Sequence, residues 1–208
     1  ASRYNRLCDL EWNSPVGDAD ACGGESLIRA ASFRDAGQFN ATMIAGEEPE
    51  LCVRLRQAGG KIFRLDENMS YHDAAITSFG QWWRRTERSG HAYAEGRSLH
   101  GKPPWKHSVK AVRSILVWGF WIPTMALGGL IAMYWLPWFG LLAAAGLLIY
   151  PVQVFRIYRD RLQRGNAPDE ARLYAIFTML GKWPQLKGAL SFWLGRLFGK
   201  RRKLIEYK

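Results

Sequence analysis

Charge is what this chain of 208 residues lacks over its longest stretch: from Ser114 to Phe155 there are 42 residues without one Asp, Glu, Lys or Arg. Cysteine is scarce as well. Cys8, Cys22 and Cys52 are odd in number and show no C-x-x-C spacing, which argues against a disulfide framework and a zinc site and fits a reducing compartment. No repeat period and no low-complexity tract is present. The chain opens on Ala1-Ser2-Arg3 with no visible n-region and apolar h-region; from that start we expect a fragment or a processed piece.

The uncharged run is too long for one straight helix. At ~1.5 Å per residue it would reach ~63 Å, twice the ~30 Å hydrocarbon core of a bilayer. Two spans fit, broken at Tyr134-Trp135-Leu136-Pro137-Trp138, where Pro137 has no N–H and the aromatic rings suit a membrane interface. Lys106, Lys110 and Arg113 precede the hairpin, and Arg156, Arg159, Arg161 and Arg164 follow it. By the positive-inside rule both flanks, and with them both termini, belong on the cytosolic side. The competing reading is a buried helical pair in a soluble domain; core helices rarely exceed about 20 residues without a polar face.

Charge also divides the chain. Residues 1–107 carry 14 basic and 14 acidic side chains, whereas 108–208 carry 15 and 4, the whole net charge of +11. Beside a membrane hairpin these cations suit anionic lipid headgroups, at about 1 kcal/mol each, better than nucleic acid. Three regions follow: 1–107, a hairpin over 108–164, and a basic tail over 165–208.

Within the first region, residues 1–24 read as loops around a short segment near Leu10-Trp12. Glu25 to Ala36 is predicted helical, with Gly37 closing it. A second helix is predicted with Pro49 at its first position and Gly59-Gly60 at its end. Lys61 to Leu65 alternates as a strand, and Met69 to His72 is a second candidate. Ser78 is a good N-cap for a helix reaching about Ser98, weakened by Gly90. In the tail, Pro168-Asp169-Glu170 starts a helix. Leu186, Leu190, Trp193, Leu194 and Leu197 then stripe another, as in a helix lying flat among headgroups; a soluble amphipathic helix against its own domain is the alternative.

Several constellations carry chemistry. Glu47, Glu48 and Glu50 sit at or just inside a helix start, where the dipole favours the charged form while crowding and burial oppose it. Such a carboxylate can accept a proton from a sugar hydroxyl; plain capping is the structural alternative. Gln81-Trp82-Trp83-Arg84-Arg85 mixes flat rings with guanidinium forks, suited to a sugar-phosphate or to an interfacial helix. His72-Asp73 is a candidate metal ligand or orienting pair. Asp18-Ala19-Asp20 has the oxygens for a divalent ion, but a D-x-D in a polar loop is common by chance.

Taken in order, these segments resemble family-2 glycosyltransferases of the GT-A type, over about Trp12 to His107. Cys22-Gly23-Gly24-Glu25, followed by Phe33-Arg34-Asp35-Ala36-Gly37-Gln38-Phe39, is similar to the family's glycine turn and "vGgFde" stretch. Glu47-Glu48 with Leu51 and Arg54-Leu55 resembles E-D-x-x-L-x-x-R-L, with Glu48 in the place of the base aspartate. Arg54 to His72 follows the family's arginine, strand and closing histidine. Gln81-x-x-Arg84-Arg85 is similar to the Q-x-x-R-W signature of processive members, with Arg85 where that signature has Trp.

The resemblance implies an α/β, partial GT-A-like domain followed by an α-helical membrane region with a transmembrane hairpin and interfacial amphipathic helices. It implies an enzyme of the bacterial inner membrane. A sugar would move with inversion from a nucleotide-sugar to a lipid-linked or polysaccharide acceptor. Glu48 would be the general base with Glu47 beside it. Gly23, Gly24, His72, Asp73, Gln81, Trp82, Arg84 and Arg85 would bind substrate. A divalent cation, Mg or Mn, is expected of the family. Its main ligands belong to a nucleotide-binding half that should precede Trp12 by roughly a hundred residues, so we expect the acceptor half plus anchor. The alternative function is a non-catalytic, membrane-tethered module that docks a separate catalytic subunit.

Overall fold

Helix-start chemistry governs the longest helix outside the hairpin. Ser78 caps helix α4 (Phe79–His100) in a full capping box: its hydroxyl accepts from the Gln81 N–H, and the Gln81 side chain accepts from the Ser78 N–H. The computed structural model describes residues 2–67, 69 and 73–199. Before α4 come helix α1 (Arg3–Trp12), strand β1 (Gly17–Ala19), helices α2 (Ala30–Asp35) and α3 (Glu47–Gln57), and strand β2 (Ile62–Arg64). After it come α5 (Val109–Leu116), a π-helical turn (Val117–Trp121) and α6 (Ile122–Ala132), which run on as one 24-residue helix. The described chain ends in α7 (Phe139–Gln163), α8 (Pro168–Leu180) and α9 (Lys182–Leu197).

The expected α/β domain is not what forms. The described chain is 65% helix and 3% strand, with one two-stranded antiparallel sheet that pairs Gly17 with Arg64 and Ala19 with Ile62. Strands of three residues cannot build the layer an α/β domain needs on which to pack its helices. Residues 1–24 are also not all loop. Ser2 accepts from Asn5 N–H and starts α1, whose Tyr4, Leu7 and Cys8 are buried. The predicted helix over Glu25 to Ala36 shrinks to α2, and the candidate strand at Met69 to His72 lies largely outside the described residues.

The core forms where α1, α4 and α8 meet. Trp82, 2% exposed, sits among Tyr4, Leu7, Cys8 and Ile76 and meets Phe177 edge-on at 4.9 Å. A buried Trp of this kind contributes about 3–5 kcal/mol relative to Ala. Arg6 pairs with Asp169 at 2.6 Å, and Arg161 donates to the Leu10 carbonyl at 2.9 Å while lying over the Tyr174 ring. These contacts hold α8 and the end of α7 on α1.

Helix α9 crosses α4 with backbones almost touching. A Cβ built on Gly188 would lie 1.9 Å from the Glu87 carbonyl oxygen, and one on Gly90 would lie 2.0 Å from that of Gln185. Pro184, Gly188, Ala189 and Ser191 are buried in this crossing, and Lys187 pairs with Glu87 at 2.7 Å. Leu190, Leu194 and Leu197, members of the predicted stripe, face outward on the other side.

Two helices are long and apolar enough to cross a bilayer, Val109–Ala132 and Phe139–Gln163. At 1.5 Å per residue they reach about 36 and 38 Å. They pack on each other through small residues: Ala126 and Ala143 are buried, and a Cβ on Gly129 would meet the Phe139 carbonyl oxygen at 2.9 Å. Their larger side chains, Met125, Leu127, Ile131, Leu141 and Leu148 among them, are exposed. Within this chain the pair is therefore not buried in a core. The break falls between Ala132 and Phe139, with Tyr134, Trp135 and Trp138 exposed at the tip.

The glycine crossing predicts an asymmetric pair of variants. Gly188→Ala forces α4 and α9 apart and destabilises by about 1–3 kcal/mol, seen as a lowered Tm in detergent. Gly23→Ala, with no atom within 4 Å of the added methyl, leaves the Tm nearly unchanged. Equal Tm values for the two variants would contradict this packing.

Candidate functional site

Gly46 turns into α3 in the left-handed region, at φ 82°, and the first turn carries Glu47, Glu48 and Glu50. The three carboxylates go separate ways. Glu50 turns inward and is 2% exposed. It accepts from Arg54 Nε at 2.9 and 3.1 Å and from Nη2 at 2.7 Å, and its Oε1 lies 2.8 Å from His100 Nε2 on α4. Arg54 reaches on to the carbonyls of Ala36 and Gln38, the latter at 2.7 Å. Helix α3 is thereby fixed to α4 on one side and to the end of α2 on the other.

Burial raises the Glu50 carboxyl, but the Arg54 and His100 hydrogen bonds outweigh it and hold the group below its ordinary 4.5. His107, whose ring centroid is 6.5 Å from that of His100, is lowered chiefly by burial and then by His100.

Glu48 is half-buried beside the glycine loop. A Cβ on Gly24 would meet Glu48 Oε1 at 3.4 Å, an ordinary contact. Cys22 leads into this loop, and its N–H donates to Cys52 Sγ on α3 at 3.3 Å. The structure thus brings Gly24 and Glu48 together. Glu47 Oε2 is enclosed and has no hydrogen-bond partner among the described residues.

The second constellation lies elsewhere. Gly46 abuts Ala92 of α4: its added Cβ would come within 3.1 Å of the Ala92 Cβ. Arg85 and Gln81 precede Ala92 by seven and eleven positions, about 10 and 16 Å along the helix axis. Gln81 is used in the capping box and Trp82 in the core, so neither offers a free face to a ligand. Arg85 pairs with Glu11 at 2.7 Å and lies over Trp12. Arg84 is exposed. Asp73 accepts from Asn5 and from the Ala75 N–H, at 2.7 and 2.8 Å, closing a turn against α1. His72 lies outside the described residues.

Asp18 and Asp20 line an open cleft of about 330 Å³ with Arg56 and Lys61. Arg56 holds Asp20 at 2.8 Å, so a divalent cation there would meet a carboxylate already neutralised by a guanidinium. Among the described residues no group of three or more His, Cys, Asp and Glu side chains is gathered to hold a metal.

Sequence reasoning missed the Glu50–Arg54–His100 network and the Cys22–Cys52 contact. The i,i+4 spacing of Glu50 and Arg54 was a legible signal for their pair. The partners of the cysteines and of His100 are 30 and 50 positions away, and no local pattern reports them. No protein-family model, no curated protein and no solved structure matches this chain.

The Glu50 network predicts a pH signature. A carboxyl held below its unfolded value stabilises the fold above that value, and the stability is lost as pH falls through the lowered one. Wild-type protein should therefore lose stability in acid below about pH 4.5 more steeply than Glu50→Gln, which itself costs about 3 kcal/mol at neutral pH. Parallel stability curves for the two proteins, recorded from pH 7 to 3, would remove Glu50 from this role.

Proposed function

We propose that this chain carries the acceptor side of a membrane-bound inverting glycosyltransferase. It would move a sugar from a nucleotide-sugar to a lipid-linked or polysaccharide acceptor, with Glu48 as general base. The observation that carries the reading is the Glu48 carboxylate at the start of α3, half-buried against a residue that has no side chain. Gly24 leaves room there for an incoming hydroxyl. Glu50, whose partners are all spoken for, keeps the helix start rigid.

In the reaction, Glu48 accepts the proton of the acceptor hydroxyl from hydrogen-bond distance, about 2.6–3.2 Å. The oxygen attacks the anomeric carbon as the bond to the nucleotide diphosphate breaks on the opposite face, and the configuration inverts. Glu47 flanks the same helix end. Trp82 and Gln81 take no part in this scheme, since packing and capping already occupy them.

The membrane placement draws support from packing. Helices α8 and α9, which follow the hairpin, rest on α1 and α4, which precede it. Both flanks of a spanning hairpin then lie on one side, where the positive-inside rule puts them in the cytosol of a bacterial inner membrane. Gly119, packed against the Lys182 carbonyl, is six positions beyond Arg113, or about 9 Å deeper. That depth suits α9 as an interfacial helix whose outward leucines meet acyl chains and whose tail attracts anionic lipid.

A second reading, a non-catalytic module that docks a separate catalytic subunit, is favoured by the largely helical fold, which offers no nucleotide-holding layer among the described residues. One experiment separates the two. Membranes holding the complete gene product are assayed for radiolabelled transfer from a panel of nucleotide-sugars. Glu48→Gln should lower transfer by about 100-fold or more while the protein still inserts. Near-normal turnover in that variant refutes the base. Transfer that requires the chain yet ignores Glu48 supports the docking module.

A further inference from the structure

Cys22 and Cys52 are 30 positions apart, yet their sulfur atoms lie 3.3 Å from each other. Cys52 is fully buried in α3, one turn beyond Glu48; Cys22 is half-buried at the mouth of the glycine loop. The third cysteine, Cys8, is sealed in the separate core around Trp82. We propose that Cys22 and Cys52 form a redox-active dithiol that hydrogen peroxide oxidises to a disulfide, clamping the Gly23-Gly24 loop onto α3 beside Glu48.

The chemistry balances with peroxide as the two-electron oxidant. The Cys22 thiolate attacks one peroxide oxygen, the O–O bond breaks, and the departing hydroxide takes up a proton as water. This leaves a sulfenic acid on Cys22. The Cys52 sulfur then attacks the Cys22 sulfur, the S–O bond breaks, and the hydroxyl leaves as water with the Cys52 proton. Two thiols and one peroxide give one disulfide and two waters. A dithiol reductant returns both sulfurs to thiols by exchange.

The surroundings sort the roles. A hydrogen bond from the Cys52 thiol pushes the Cys22 thiol down to about 6, assisted by Ser26 and its own N–H and opposed by burial and Glu48. Cys22 is thereby the more acidic of the two thiols and is partly accessible, as suits the attacking sulfur. Cys52 is pushed up by the same bond and by burial, as suits a resolving thiol. Burial pushes Cys8 up to about 11, which leaves it inert. A disulfide bond of about 2.05 Å requires the two sulfurs to approach by little more than 1 Å, so a local shift of the loop suffices.

The consequence for activity rests on the proposed role of Glu48: oxidation presses Gly24 toward the carboxylate that must admit the acceptor. The test uses the full chain in its membrane, treated with hydrogen peroxide, alkylated with N-ethylmaleimide, digested and mapped by mass spectrometry. We expect a Cys22–Cys52 cross-linked peptide that dithiothreitol abolishes, with Cys8 still reduced. Cys52→Ser should instead accumulate a Cys22 sulfenic acid that dimedone traps. Wild-type protein without the cross-link, or with all three cysteines oxidised alike, overturns the proposal. In the transfer assay, oxidised membranes should lose about tenfold or more, restored by dithiothreitol. A cross-link that leaves transfer unchanged sinks the control of Glu48. No transfer in either state counts against the glycosyltransferase reading and leaves the dithiol standing.

Discussion

The crossing of α4 and α9 is the contact on which the rest of the architecture depends. Glycines at 90 and 188 let two helix backbones approach until any side chain would collide with a carbonyl. Close approach of this kind extends dispersion contact along both helices. Its effect is topological as well. The chain leaves the first region through the hairpin, and the crossing brings α9 back to the helix that precedes that hairpin. The two ends of α4 then serve different neighbours. Near its start Trp82 anchors the core with α1 and α8, and at its end His100 reaches Glu50 to set α3.

From α3 the logic passes to its carboxylates. Three acidic residues share one helix start, and the structure separates them by what each touches. Glu50 is enclosed by Arg54 and His100, a pairing that answers the cost of burying a charge. Glu48 faces a glycine and has no such clasp among the described residues. In the proposed reaction a rigid neighbour and an open carboxylate suit Glu48 as general base, because its reach must be set before an acceptor arrives. The two cysteines sit at the same junction, so the loop that flanks Glu48 is also the loop whose position a sulfur–sulfur bond would alter.

The hairpin was legible because the absence of charge is a strong local signal: two long apolar helices, a break near Pro137, and basic residues on both flanks are all observed. Helix starts were legible for the same reason, as the cap Ser78 and the first-turn Pro168 show. The α/β reading failed because Lys61 to Leu65 alternates convincingly but finds a partner strand of only three residues, and a strand's worth depends on the sheet it joins. Helix α1 was obscured by polar residues whose partners, Ile76, Asp73 and Asp169, come from distant segments. Composition cannot show which face a helix buries, and so gave no sign that Trp82 lies in the core or that Arg85 pairs with Glu11. Gly90 read as a weakness in α4, whereas it is the point at which another helix enters.

In the proposed topology the hairpin crosses a bilayer and returns, so that α3 and the end of α7 share one side. It is tested most directly with an impermeant maleimide on sealed vesicles of known orientation, comparing Ala41→Cys, Trp138→Cys and Gln163→Cys with the parent chain. The account predicts added labelling of positions 41 and 163 from one side and of 138 from the other. Labelling of position 138 from the same side as 41 and 163, or of 41 and 163 from opposite sides, would contradict it.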